Sequence, residues 1–263
     1  MPPVMQAPYY LPTANEDDVF EKAWRGGLAI MVKGPTGCGK TRFVEHMAFR
    51  LGVPLFTVSC HEDITASDLI GRHLLIGDET RWQDGPLTQA VRQGGIFYLD
   101  EVVEARQDAI VAIHPLTDHR REMTIERLGG LKLSAPDGFA LVVSYNPGYQ
   151  SVLKDLKMST RQRMVAIELG FPPPESERAI IVHETGVPPT VADDFVNVAV
   201  AIRRLEDSGL REVASTRTLV AAAILVSHGL QPLDAGVAAI AAPLTDDAEL
   251  QRGLVEILRT YLM

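Results

Sequence analysis

Between positions 34 and 41 the chain reads Gly34, Pro35, Thr36, Gly37, Cys38, Gly39, Lys40, Thr41. Glycines at this spacing let the backbone wrap an anion so that several N–H groups face it together. A lysine followed by a hydroxyl then meets phosphate charge and a hard cation. The apolar run 28–32 comes just before this loop and a mixed stretch, 40–51, just after it. That order predicts strand, loop and helix, with the first N–H groups of the helix aimed at phosphate oxygens. The chemistry is that of ATP: Lys40 offers charge to the β- and γ-phosphates, and Thr41 offers its hydroxyl to Mg²⁺.

A second apolar run, 96–99, ends in Asp100 and Glu101. Alone, an acid pair at a strand end reads as a turn. Beside a phosphate loop it reads differently, because a parallel sheet gathers its ligands at the carboxyl ends of its strands. Asp100 is placed to hold Mg²⁺, directly or through water. Glu101 is placed to polarise an attacking water as a general base. A protein that only stores nucleotide has no need of Glu101.

These residues need a frame. The runs 28–32, 55–58, 96–99, 139–143 and 164–169 are short, apolar and closed by polar or turn residues. They predict five buried strands of one parallel sheet, flanked by helices. In 40–51, Phe43, Val44, Met47, Ala48 and Leu51 fall on one helical face, and Gly52 follows as an end cap. Residues 121–126 and 131–134, joined by Gly129 and Gly130, predict a hairpin that projects from the sheet. After Pro172, Pro173 and Pro174 the pattern turns helical, over 175–184, 191–207, 215–228 and 246–262. The expected division is a proline-rich arm, mobile or docking (1–12), and a leading helix within 1–27; an α/β core, 28–171; and a small all-α lid domain, 172–263.

Composition narrows the function. The 263 residues carry a net charge of −9, with 46% hydrophobic and 6% aromatic residues, which points to a folded, aliphatic core. No basic block exceeds Arg120-Arg121 or Arg203-Arg204, so a protein that tracks along nucleic acid is not expected. Cys38 and Cys60 are too few for a disulfide framework or a thiolate zinc site. One disulfide is possible, but a reducing cytoplasm is the simpler context. Neither a signal-peptide pattern nor a membrane-length apolar run is present, so a cytoplasmic location is expected. The seven histidines are scattered singly and read as structural or surface residues. Cys38 reads as a small loop filler rather than a redox sensor.

Longer strings carry a family likeness. The phosphate loop, Asp68 to Gly71, Trp82 to Thr88, Gly95 to Glu101 and Ser144 to Gly148 together resemble the MoxR group of AAA+ ATPases. Cys60 to Leu69, Asp100 to Asp108 and Asn146 to Ser151 resemble its CbbQ/NorQ/GvpN branch, CbbQ most of all. The likeness implies that Asn146 is the sensor 1 residue facing the γ-phosphate or the water. It implies an arginine finger that reaches a neighbouring subunit's nucleotide, Arg163 first and Arg161 as a second contact, and hence a ring, a hexamer. Arg217 matches sensor 2, which couples nucleotide state to the domain hinge. Residues 72–83 match the helix 2 insert and 121–134 the pre-sensor 1 insert, both facing the ring surface or pore.

The function implied is a Rubisco activase motor that releases inhibitory sugar phosphates, working with a partner of the CbbO type that carries a von Willebrand factor A (VWA) domain. The alternative within the branch is a NorQ-like chaperone that matures nitric oxide reductase, with a GvpN-like role in gas vesicles ranked lower. Outside this class stand a nucleotide-gated scaffold without turnover and a DNA-dependent AAA+ protein; Glu101 and the arginines argue against the first, and the charge against the second.

Overall fold

The computed structural model describes residues 7–147, 156–205, 210 and 212–263. The first part of the chain runs through α1 (Glu16–Arg25), β1 (Ala29–Lys33), α2 (Lys40–Leu51) and β2 (Leu55–Ser59). It continues through α3 (Ala66–Ile70), β3 (Gly71–Ile76), β4 (Glu79–Asp84), α4 (Pro86–Gln93), β5 (Gly95–Asp100) and α5 (Gln107–Ile113). Then come β6 (Glu122–Ile125), β7 (Leu131–Ser134), β8 (Phe139–Tyr145), α6 (Met158–Arg161) and β9 (Met164–Glu168).

Five of these strands make one sheet in the order β2-β5-β8-β1-β9, with every neighbouring pair parallel. The order explains the burial. Every residue of β8, the central strand, is buried, as are all of β5 but Asp100. The edge strands β2 and β9 expose Thr57, Ser59, Ala166 and Glu168. A strand covered on both faces must be apolar nearly throughout, and a strand at the edge need not be. The expected parallel α/β fold is therefore present, with β8 running two residues past its apolar stretch to include Ser144 and Tyr145. Helix α2 lies where its periodicity put it and buries Phe43, Val44, Met47 and Ala48.

Two antiparallel hairpins stand outside the sheet. β3 and β4 pair from Gly71 with Asp84 to Ile76 with Glu79, leaving Leu75 and Ile76 exposed at the tip. β6 and β7 form the hairpin expected over 121–134. It is separate from the sheet but not clear of the core, because Met123 and Ile125 on its inner face are buried there.

The later part of the chain is helical, and no strand occurs among its described residues. It holds α7 (Pro174–Thr185), α8 (Pro189–Arg203), α9 (Thr216–Ser227) and α10 (Pro232–Gly236). A π-helical turn (Val237–Ala241), α11 (Ala242–Leu244) and α12 (Ala248–Leu262) complete it. Pro174 opens α7, where a missing N–H costs nothing. Phe195, Ile202, Leu219 and Leu258 are among the residues of its own apolar core. Inside that core Glu177 is fully buried and accepts two bonds from Arg203, at 2.8 and 2.7 Å. Thr216 Oγ1 donates to the same carboxylate at 2.6 Å, and Arg203 Nε donates to the Ala214 carbonyl at 2.9 Å. This network pins the first turn of α9.

The contacts divide the chain into two compact units. One gathers Ala14–Gly34 and Lys40–Leu169; the other gathers Tyr9–Thr13, Pro35–Gly39 and Gly170–Met263. Of the arm expected over 1–12, residues 1–6 lie outside the described residues. Tyr9 stacks on His183 of α7, with ring centroids 3.7 Å apart and 8° between planes. Among the described residues no helix is long and apolar enough to cross a membrane.

Candidate functional site

The phosphate loop depends on two glycines with left-handed backbones, Gly37 at φ 71° and Gly39 at φ 101°. Gly37 is also closed to any side chain. An added Cβ would stand 2.5 Å from Ser215 Oγ and 3.2 Å from Arg217 Cβ, at the start of α9. Such alternation of backbone handedness turns successive N–H groups toward one point. Lys40 is buried, and its Nζ donates to the Gly34 carbonyl at 3.0 Å and to Asn146 Oδ1 at 2.5 Å. The lysine thus bridges its own loop and the end of β8.

Strand order brings the acids to the same place. β8 lies between β1 and β5, in register Val32 with Ser144 on one side and Leu99 with Val143 on the other. Asp100 Oδ2 accepts from Thr41 Oγ1 at 3.0 Å. Its Oδ1 accepts from Ser144 Oγ at 2.6 Å and from Tyr98 OH at 2.7 Å. Burial, and then the charge of Asp100, push the Tyr98 phenol far above its ordinary pKa, so it stays protonated and donates. Ser144 is fully buried and also accepts the Glu101 N–H at 3.0 Å.

Glu101 itself sits at φ 56°, ψ 49°, a left-handed conformation that side-chain-bearing residues rarely adopt, and is exposed. Backbone held in such a region is held by its surroundings. Beneath the pair, the Cys60 N–H donates to the Asp100 carbonyl at 2.9 Å. Burial, then Asp100 and Glu101, push the Cys60 thiol up to about 12, so it stays protonated and inert. Cys38 and Cys60 are buried free thiols, which removes the disulfide that the sequence left open.

The arginines lie on other elements. Arg161, on α6, holds its guanidinium 5.7 Å from the Tyr145 ring centroid. Arg163 is exposed two residues on. Thr160, buried between α6 and its neighbours, bonds His114 Nε2 at 3.0 Å. Burial lowers the His114 pKa from its ordinary 6.5, and the charges of Arg163 and Lys157 lower it further. Arg217 is exposed on the first turn of α9, which Ser215 and Thr218 close as a reciprocal cap. The string that continues past Asn146, at 148–151, lies outside the described residues.

Of the residues singled out in the sequence, Lys40 bonds Asn146 and Thr41 bonds Asp100, two hydrogen-bonded groups that meet through the Lys40-Thr41 peptide. Glu101 follows Asp100 in the chain, and Gly34, Pro35, Thr36, Gly37, Cys38 and Gly39 form the loop that leads into Lys40. Tyr98 and Ser144 belong to the Asp100 group, and sequence reasoning gave neither a role. The signal was the two-residue period of a strand, which puts 98 with 100 and 144 with 146 on one face. Thr41 and Asp100 supply two hard oxygens in contact, which suits Mg²⁺ held mostly by phosphates and water. Among the described residues no three His, Cys, Asp or Glu side chains converge on a metal site.

The AAA domain family (dynein-related subfamily) matches residues 29–164, and the CbbQ/NirQ/NorQ C-terminal family matches 177–261. The chain is 54% identical to the denitrification regulatory protein NirQ of Stutzerimonas stutzeri, covering 97% of this chain and 92% of that one. It is 53% identical to protein CbbQ of Hydrogenophilus thermoluteolus, covering 95% and 94%. It is 54% identical to protein NorQ of Paracoccus denitrificans, covering 96% and 93%. These values do not separate CbbQ from the other two. In fold, a mutant RuvB of Thermotoga maritima superposes with TM-score 0.56 at 14% identity, over 95% of this chain and 71% of that one.

Proposed function

Because this chain belongs to the CbbQ/NirQ/NorQ family of AAA+ ATPases, we propose that it is the motor of a protein-remodelling machine, spending ATP on a client it does not itself recognise. The observation that carries the reading is the convergence of Lys40, Thr41, Asp100 and Asn146 at the ends of three adjacent strands.

In this reading the loop from Gly34 to Gly39 cradles the triphosphate with its N–H groups, and Lys40 places its charge on the β- and γ-phosphates. Thr41 and Asp100 hold Mg²⁺, which when bound neutralises charge on those phosphates. Glu101 takes a proton from the attacking water, and Asn146 orients that water or the γ-phosphate. Arg163, with Arg161 second, stabilises the transferring phosphoryl group from the next subunit of a hexameric ring. Arg217, next to Gly37, reports the phosphate state to α9. The exposure of Arg163 favours it as the finger, since Arg161 is already engaged by Tyr145.

The client is Rubisco blocked by a sugar phosphate, reached through a CbbO-type partner with a VWA domain, in the reading that follows the strings at 60–69 and 100–108. A second reading has its own support. Identity to NirQ and NorQ, each 54%, is as high as that to CbbQ and equally supports maturation of a denitrification enzyme such as nitric oxide reductase. One experiment separates them: ATP turnover by the protein with its co-purifying partner, on adding inhibited Rubisco. Recovery of carboxylation that Glu101→Gln abolishes supports the activase. ATP hydrolysis with Rubisco still blocked moves the client to the denitrification side. A wild-type protein that binds ATP and stays silent with its partner present sinks the motor in favour of a scaffold.

A further inference from the structure

Asp100 and Glu101 are neighbours in sequence, yet their tasks differ, and the backbone between them turns from extended strand to a left-handed residue. Something must fix that turn. One buried side chain touches both halves of it: Ser144 Oγ donates to Asp100 Oδ1 at 2.6 Å and accepts the Glu101 N–H at 3.0 Å. Its single donor and one acceptor lone pair are both in use. Tyr98 OH meets the same Oδ1 at 2.7 Å and lies 3.5 Å from Thr41 Oγ1.

We propose that Ser144 is a positioning residue that locks the two carboxylates as a pair, aiming Asp100 at Thr41 and holding Glu101 in its left-handed turn. Tyr98 assists at Asp100 and Thr41. The inference rests on the roles given above to Asp100 and Glu101, and it adds what couples them. Because Ser144 stands two residues before Asn146 on β8, a shift of that strand moves both acids and the polar residue together.

The two hydroxyls predict different losses. The experiment uses the full-length assembled protein and reads two quantities: Mn²⁺ affinity by electron paramagnetic resonance with a non-hydrolysable ATP analogue bound, and kcat across a Mg²⁺ titration. Tyr98→Phe weakens Mn²⁺ about tenfold and loses turnover at low Mg²⁺, then regains it as Mg²⁺ rises. Ser144→Ala weakens Mn²⁺ about as much, but its kcat stays down by about tenfold or more even at saturating Mg²⁺. Ser144→Cys, similar in volume and a poor donor, reads the same if the alanine variant unfolds. Full recovery of Ser144→Ala at high Mg²⁺ would overturn the link to Glu101, and unchanged Mn²⁺ affinity would overturn the link to Asp100. Glu101→Gln runs alongside. If that variant hydrolyses ATP normally, the roles of the acids fail; if it is silent while Ser144→Ala is normal, only the present inference fails.

Discussion

Lys40 Nζ lies 2.5 Å from Asn146 Oδ1, joining the helix that follows the phosphate loop to the residue just past the central strand. The two sit on elements far apart in sequence and adjacent in space, and their chemistry differs. Lys40 carries charge and Asn146 a neutral dipole. Lys40→Ala should weaken ATP binding about 100-fold, the order expected when a charge-assisted bond is lost. Asn146→Ala should leave binding within about threefold and lower kcat about 100-fold, as loss of one oriented polar group does. Fluorescent-nucleotide titration and steady-state turnover separate the two, and equal losses in both assays would contradict this division.

Glu101 tests strain and chemistry separately. Its left-handed backbone suits glycine and penalises alanine. Glu101→Gly should therefore unfold at higher denaturant than Glu101→Ala, by about 1 kcal/mol. Both variants should bind ATP and fail to turn it over. If alanine proves the more stable, the backbone at 101 is not under the constraint described.

The buried pair in the helical unit gives a third expectation. Glu177 is 0% exposed and has a bidentate partner in Arg203. Arg203→Met leaves a carboxylate buried without its counter-charge and should cost about 3–5 kcal/mol by urea denaturation. Arg203→Lys should recover little, because an ammonium cannot reproduce the fork or sit flat over Phe171, where the guanidinium now lies 4.0 Å from the ring centroid. The double variant Glu177→Met, Arg203→Met should be markedly less damaged than Arg203→Met alone.

His114 predicts a pH effect of definite sign. Its folded pKa lies below the ordinary 6.5, through burial first and the Arg163 and Lys157 charges after it. The unfolded chain thus binds the proton more readily than the folded one, and stability falls as pH drops below 6.5 toward the folded pKa. Above 6.5 the contribution is complete. Melting temperature against pH should slope in that window for the native chain, and His114→Asn should flatten the slope. An unchanged slope would remove His114 as its source.

Much of this was legible in advance. The phosphate loop, the five strands and the Asp100-Glu101 pair are local patterns, since each is fixed by glycine spacing or by an apolar run that ends in charge. The Tyr98 and Ser144 hydroxyls were legible only in part: strand period puts 98 with 100 and 144 with 146, but a tyrosine in an apolar run reads as core. Only the β5–β8 register reveals that Ser144 borders Asp100. Helices α10 and α11 were missed because Pro232, Gly236 and Pro243 break the apolar period that marked their neighbours. The fold of residues 72–83 was not legible either. Their pattern is mixed, and it is the pairing of β3 with β4 that makes them a hairpin.

Tyr9 stacks on His183, and Tyr9–Thr13 and Pro35–Gly39 belong with the helical unit rather than with the strands around them. On a ribosome these segments emerge before α7 and α9 do. The earlier-made pieces must therefore wait for the later-made ones. Until α9 is made, the phosphate loop lacks Ser215 against Gly37. The phosphate loop therefore reaches its folded surroundings only once α9 has been made.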